Sequence, residues 1–243
     1  MSGSILGLLT RTTSFNLTVN AAAPAPPPPP PPPSGSGVTS FTLTSPSSQA
    51  LAPFTIGLGF RKGDVSGTPA LDVGNHQVIV KRRWNDGSVK HAIASGHVAL
   101  SANAAKTINV INSGSGASGT NLTAASIQAA NPSASVQLGS IGTVNLSSLL
   151  ANPFRTWISG PEMVEAHYRS NVGSDPTLSV WFYVRLYKNN RMWIRAIVEN
   201  GYLNVATSNK SYAPSVTIGG SNVFNNGGAS LTHYVQTRWL AEG

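Results

Sequence analysis

The chain has no cysteine, so neither disulfides nor thiolate metal sites stabilise it, and redox chemistry says nothing about its compartment. Charge is scarce as well: Asp, Glu, Lys and Arg make up 10% of residues, against about 25% in a typical globular protein. Only 8 of the 243 residues are carboxylates: Asp64, Asp72, Asp86, Glu162, Glu165, Asp175, Glu199 and Glu242. Glycoside hydrolysis needs two of these about 5–10 Å apart in one cleft. Glu162 and Glu165, three residues apart, point to opposite faces if they share a strand. Asp64 and Asp86 lie in turn sequences, and Glu199, beside Asn200-Gly201, reads as solvated or paired with an arginine.

Other absences narrow the function further. His76, His91, His97, His167 and His233 show no metal spacing; His91 and His97 share a parity on one expected strand but lack a third ligand. There is no Gly-x-Ser-x-Gly, no phosphate loop and no Gly-x-Gly-x-x-Gly opening a helix. A polysaccharide lyase would need a base and an arginine facing a uronate; Lys90, His91 and Arg83 are the nearest candidates, with no geometry in the sequence to unite them. No cofactor and no metal are therefore expected. Sixteen Lys and Arg give a net charge of +8, but they are scattered, and Lys81-Arg82-Arg83 is the sole basic triplet. That dispersion argues against a nucleic-acid partner. Ile5-Leu6-Gly7-Leu8-Leu9 is too short to cross a membrane, and no basic residue precedes it as in a secretory leader.

What the chain has instead is glycine, proline and small polar residues. Eight consecutive prolines, Pro26 to Pro33, follow Asn20-Ala21-Ala22-Ala23-Pro24-Ala25 and run into Ser34-Gly35-Ser36-Gly37. Proline fixes φ and has no N–H, so the run is polyproline II, and Pro24 to Pro33 spans roughly 30 Å. The expected organisation is an anchoring peptide over residues 1–23, a stalk over 24–37 and a β-domain over 38–243. Ile5, Leu6, Leu8, Leu9, Phe15, Leu17 and Val19 supply the apolar side chains of the anchor.

Beyond the stalk the pattern is all-β, barrel-like or sandwich, with one or two short helices. Strands are expected at Val38–Thr44, Phe54–Phe60, Val78–Arg82, Val89–Leu100 and Thr107–Ile111, with a Gly/Ser-rich surface loop from Asn112 to Gly119. Leu122–Ala130 and Asn145–Ala151 suit helical turns, each stopped by an Asn-Pro pair. The clearest signal runs from Leu178 to Glu199. Val180, Phe182, Val184 and Leu186 alternate with Trp181, Tyr183, Arg185 and Tyr187; after Asn189-Asn190, Met192, Ile194, Ala196 and Val198 alternate with Arg191, Trp193, Arg195 and Ile197. A two-residue turn would mix the faces, because a one-residue slip exchanges them. A three-residue loop, Lys188–Asn190, sets Arg185 opposite Trp193, Tyr183 opposite Arg195 and Val184 opposite Ile194, and requires Asn190 to be left-handed. One face is then aliphatic, and the other carries Trp181, Tyr183, Arg185, Tyr187, Trp193 and Arg195 as a candidate partner or glycan surface. Internal packing of that face is the competing interpretation.

Two segments form a motif. Pro53-Phe54-Thr55-Ile56-Gly57-Leu58-Gly59-Phe60-Arg61-Lys62-Gly63-Asp64 precedes Arg83-Trp84-Asn85-Asp86-Gly87-Ser88-Val89-Lys90, a strand–turn–strand in which Asp86-Gly87 makes the turn and Trp84 packs beside it. This pairing, with Trp84, Asp86, Gly87 and Ser88 at its turn, resembles the N-terminal β-domain of exo-rhamnogalacturonan lyase-like proteins. Ile158-Ser159-Gly160-Pro161 with Val164–Tyr168, and Val198-Glu199-Asn200, are also similar. The resemblance implies a β-domain placed ahead of larger domains, whereas this chain ends soon after Thr237-Arg238-Trp239. The favoured expectation is a non-enzymatic virion structural protein of a tailed phage, a fibre, decoration or tail-associated component. It would be held to other virion proteins through residues 1–23 and assembled as a homo-oligomer. The alternative is a secreted carbohydrate-binding or lyase-like domain that meets a surface glycan.

Overall fold

The computed structural model describes residues 37–112, 114–201 and 209–243. The anchoring residues Ile5, Leu6, Leu8, Leu9, Phe15, Leu17 and Val19, together with residues 24–36 of the stalk, lie outside the described residues.

The first six strands are β1 (Thr39–Leu43), β2 (Gln49–Gly59), β3 (Ala70–Leu71), β4 (His76–Arg83), β5 (Val89–Leu100) and β6 (Lys106–Ile111). They form two three-stranded antiparallel sheets, ordered β1-β6-β3 and β2-β5-β4. Alternate apolar residues face inward, and Phe54, Leu58, Ala92, Ala94, Val98, Ile108 and Val110 share one core. β2 begins five residues before the expected Phe54 and carries Pro53 in its interior. Its edge position explains the tolerance, since an edge proline leaves no ladder donor missing.

After α1 (Ala124–Ala130) come β7 (Ala134–Leu138), β8 (Thr143–Asn145), a 3₁₀ turn at Leu146–Ser148, β9 (Arg155–Ile158), β10 (Met163–Asn171), β11 (Leu178–Tyr187) and β12 (Met192–Asn200). β13 (Lys210–Tyr212), β14 (Pro214–Ile218), β15 (Ser221–Asn225), β16 (Leu231–His233) and β17 (Thr237–Glu242) complete the chain. A five-stranded sheet, β17-β12-β11-β10-β9, packs on a four-stranded one, β15-β14-β7-β8. Val164, Tyr168, Phe182, Val184, Ala196 and Val216 lie in the core between them. The architecture of the described residues is an all-β sandwich with no closed barrel, with two large hydrophobic cores and a third, smaller one.

α1 stops where expected, Asn131 closing it in the left-handed region at φ 46° directly before Pro132. The second expected turn, Asn145–Ala151, is instead a 3₁₀ turn over Leu146–Ser148 that ends at Leu149, before Asn152-Pro153. The β11–β12 hairpin has the three-residue loop. Leu186 pairs with Met192, Arg185 with Trp193 and Tyr183 with Arg195, and Asn190 has φ 60°. Along the loop from Asn112 to Gly119, Asn112 Oδ1 accepts from Ser66 N–H at 3.1 Å and Ala117 N–H donates to His76 O at 2.7 Å.

The motif turn between β4 and β5 explains its own residue choice. Gly87 has φ 84°, which suits only glycine comfortably. Asp86 Oδ1 accepts from Ser88 N–H at 3.0 Å and Ser88 Oγ–H at 2.6 Å, and these bonds hold its carboxyl below the usual range. Buried Ser88 also accepts at Oγ from Gly63 N–H at 3.0 Å, while Trp84 Nε1 donates to Phe60 O at 3.1 Å. The two distant halves of the motif are therefore joined by hydrogen bonds. Ser88→Ala would leave the Gly63 N–H without this acceptor and is expected to cost about 1 kcal/mol, seen as a lower urea midpoint at unchanged slope.

The sandwiches meet where the outer side of β4 and β5 lies on the ends of β9, β10 and β11. Ile79, Ile93, Ile158, Met163 and Tyr187 pack together there. Gln77 works as a clamp: its Oε1 accepts from the N–H groups of Glu162 and Met163 at 2.8 and 2.9 Å, and its Nε2 donates to Met163 O at 2.9 Å. Fully buried Glu162 stands between Lys188 Nζ at 3.2 Å and His97 Nδ1 at 3.1 Å.

Candidate ligand-binding face

The side of the five-stranded sheet that faces away from its core is built in rows, because antiparallel register sets cross-strand partners side by side. One row runs Arg155, His167, Tyr183, Arg195, Glu242 across all five strands. A second runs Ile158, Glu165, Arg185, Trp193, and a third Arg169, Trp181, Ile197, Leu240. Alternation explains it: Glu165, His167 and Arg169 point out while Val164, Ala166 and Tyr168 fill the core.

Aromatic rings and cations interleave along the rows. His167 stacks on Tyr183 with centroids 3.8 Å apart and planes 10° apart. Arg185 and Arg195 lie over the Trp193 ring at 4.4 and 4.7 Å, and Arg169 over Trp181 at 5.4 Å. Trp157 carries Lys81 at 4.2 Å and Arg155 at 5.1 Å. Phe154, 60% exposed, meets Trp181 edge-on at 4.9 Å, and Trp157 is 39% exposed. Lys81 belongs to the first sandwich, so its hydrogen bond to Trp157 O closes one end of the face across the junction.

Beneath the rings sits a polar relay centred on buried His167 and Glu165. Arg155 Nε donates to His167 Nδ1 at 2.9 Å, His167 Nε2 pairs with Glu165 Oε1 at 2.7 Å, and Arg185 Nε donates to Glu165 Oε2 at 2.5 Å. Burial works against the Glu165 charge, but the bonds from His167 and Arg185 outweigh it and hold the carboxyl below its ordinary value. Lys81 is pushed below the usual ammonium range, by burial first and by Arg155 as well, with Glu165 pulling the other way.

The structure redistributes several expectations. Trp181, Tyr183, Arg185, Trp193 and Arg195 share the face, each partly exposed. Tyr187 does not: the first sandwich covers it, its hydroxyl lies 2.8 Å from Thr55 Oγ1, and burial pushes its phenol up. Met192, expected among the aliphatic core positions, is 38% exposed because it starts β12 at the rim. Glu199, expected in water or on an arginine, accepts instead from Trp181 Nε1 at 3.2 Å. Glu162 precedes β10 and Glu165 lies within it, so the two do not share a strand, and they enter separate networks. Trp84, Asp86, Gly87 and Ser88 form a structural turn, and Lys90 lies over the Trp84 ring at 4.3 Å.

Phe154, Arg155, Trp157, Glu165, His167, Arg169 and Lys81 were not foreseen as face residues. The period-two alternation of Glu165-x-His167-x-Arg169 was the signal available for β10. Among the described residues, no three His, Asp or Glu side chains converge to hold a metal ion. Comparison with protein-family models, with curated proteins and with solved structures finds no match.

Proposed function

We propose that the β-region is a non-enzymatic recognition module that binds an acidic polysaccharide through the outer face of the five-stranded sheet. The observation that carries this reading is the exposed Trp157 ring lying beneath both Lys81 and Arg155, beside Phe154 and Trp181. Flat rings stack on the apolar faces of sugars, while guanidinium and ammonium groups meet carboxylate or sulfate oxygens. Catalysis is not required: both His167 ring nitrogens are engaged by Arg155 and Glu165, so neither is directed at a ligand.

The test is native electrophoresis of the full chain in gels containing a polyuronate, dextran sulfate or neutral dextran. Retardation by the charged polymers, weakened by added salt, is expected; equal migration in all three gels would overturn the reading. Trp157→Ala is expected to weaken binding about three- to tenfold while leaving the urea midpoint nearly unchanged, because that ring is exposed.

A second reading is favoured by the apolar segment that precedes the octaproline run. It places the module on a tailed-phage virion, carried in symmetric copies by contacts of residues 1–23 with other structural proteins. Mass-spectrometric detection of the chain in purified particles supports it; recovery only as unassembled protein refutes it. The readings are compatible, since a virion module can itself bind a host glycan.

A further inference from the structure

We infer that His167 positions Arg155 for ligand, and that protonation of His167 releases Arg155, so that affinity for an acidic glycan falls on acidification. The inference deepens the proposed function and takes its ligand from it, but the coupling itself belongs to the free protein.

The tautomer follows from the partners. A guanidinium keeps its protons, so Arg155 Nε must donate and His167 Nδ1 must accept, at 2.9 Å. The ring proton then sits on Nε2, which donates to Glu165 Oε1 at 2.7 Å. Glu165 is anchored in turn by Arg185 Nε at 2.5 Å. A neutral imidazole thus connects exposed Arg155 to a buried carboxylate, and the Tyr183 ring stacked at 3.8 Å fixes its plane.

Protonating Nδ1 removes the lone pair that holds Arg155. Two N–H groups then oppose each other, as do two positive charges. Because Arg155 is exposed, it can leave for water, which uncouples it from Trp157 as well. The groups facing His167 come from every neighbouring strand: Glu165 from its own strand β10, Arg155 from β9, Tyr183 and Arg185 from β11, and Lys81 from β4 beyond Trp157. Glu165 attracts the added proton, whereas Arg155, Arg185 and Lys81 repel it.

The sign separates this device from an ordinary basic surface. Each added histidine charge would make a simple cationic patch bind a polyanion more tightly. Release of Arg155 predicts the reverse.

Dextran sulfate is the probe, since sulfate esters stay ionised throughout and any change belongs to the protein. On acidification the full chain is expected to lose about five- to tenfold in affinity. In His167→Asn an amide oxygen can take the place of Nδ1 without titrating, and affinity should stay flat. Affinity that rises in acid, or an unaltered pH slope in His167→Asn, would overturn the inference. The Arg155 Nε–H resonance provides a measure that needs neither ligand nor variant. Its loss of exchange protection in step with His167 ring protonation supports the coupling, and an unmoved signal refutes it. If dextran sulfate fails to bind at any pH, the proposed function loses its ligand, and the Arg155 signal still decides this inference.

Discussion

Glu165→Ala is expected to destabilise the protein by about 3 kcal/mol, the lower end of the range for breaking a buried ion pair by removing one partner. The Glu165 side chain is 5% exposed and is the shared acceptor for His167 and Arg185. The cost stays at the lower end because Arg185 is 27% exposed and can recover some hydration. Glu165→Gln keeps the shape but lacks the charge and should lie between wild type and alanine. Acid makes the comparison sharper. Glu165 is held below its ordinary carboxylate value, so its contribution is fully present above that value and is lost as pH falls through the folded-state value. The stability gap between wild type and Glu165→Gln should therefore narrow on acidification through the carboxylate range. A gap in urea midpoints that stays constant with pH would show that the Glu165 charge contributes nothing. Both variants should also weaken the proposed glycan binding, because Arg185 over Trp193 loses its anchor.

Much of the fold was legible where local chemistry left one solution. Parity alone decided the β11–β12 loop, because only an odd loop keeps Val184 opposite Ile194 and Arg185 opposite Trp193. Asn131 before Pro132 ended α1, and Asp86-Gly87 made the motif turn, for reasons contained in a few neighbouring residues. The face was legible only on those two strands. β9 is four residues long and follows Asn152-Pro153, so Phe154-Arg155-Thr156-Trp157 carried too short an alternation to separate from a loop. The displacement of Tyr187 from the face came from the first sandwich: its cover, Ile93 and Thr55, lies about a hundred residues or more away in sequence. Lys81 was out of reach for the same reason, since a basic triplet does not announce that one of its members reaches the backbone of Trp157. The relay needed three strands in register before Glu165, one of eight scattered carboxylates, could be recognised as its centre.

Gly96→Ala should have the other large effect, and it tests whether the face depends on the junction between sandwiches. Gly96 lies inside β5, paired with Phe54 on one side and His76 on the other. A Cβ there would stand 2.1 Å from Asn75 O and 3.0 Å from His76 Cα. Both are backbone atoms, so no side chain can rotate away, and the start of β4 must move off the sheet. The expected cost is about 3 kcal/mol or more, the upper range for overpacking. Gly59→Ala is the matched control: that glycine also lies in a strand of this sheet, has an ordinary φ and meets nothing within 4 Å. It should be neutral or slightly stabilising, through the lower entropy of the unfolded chain. Displacement of β4 also acts at a distance, because β4 carries the Gln77 clamp and Lys81. In Gly96→Ala the amides of Glu162 and Met163, both held by Gln77, should exchange with solvent before those of β11, whose residues lie in the second core. Glycan affinity should fall with them, although Gly96 is on none of the rows of the face. Uniform loss of protection throughout the chain would mean that the two sandwiches unfold as one unit. Selective loss at Glu162 and Met163 would make the junction the element that keeps Lys81 over Trp157, and so the part of the fold on which the proposed ligand recognition rests.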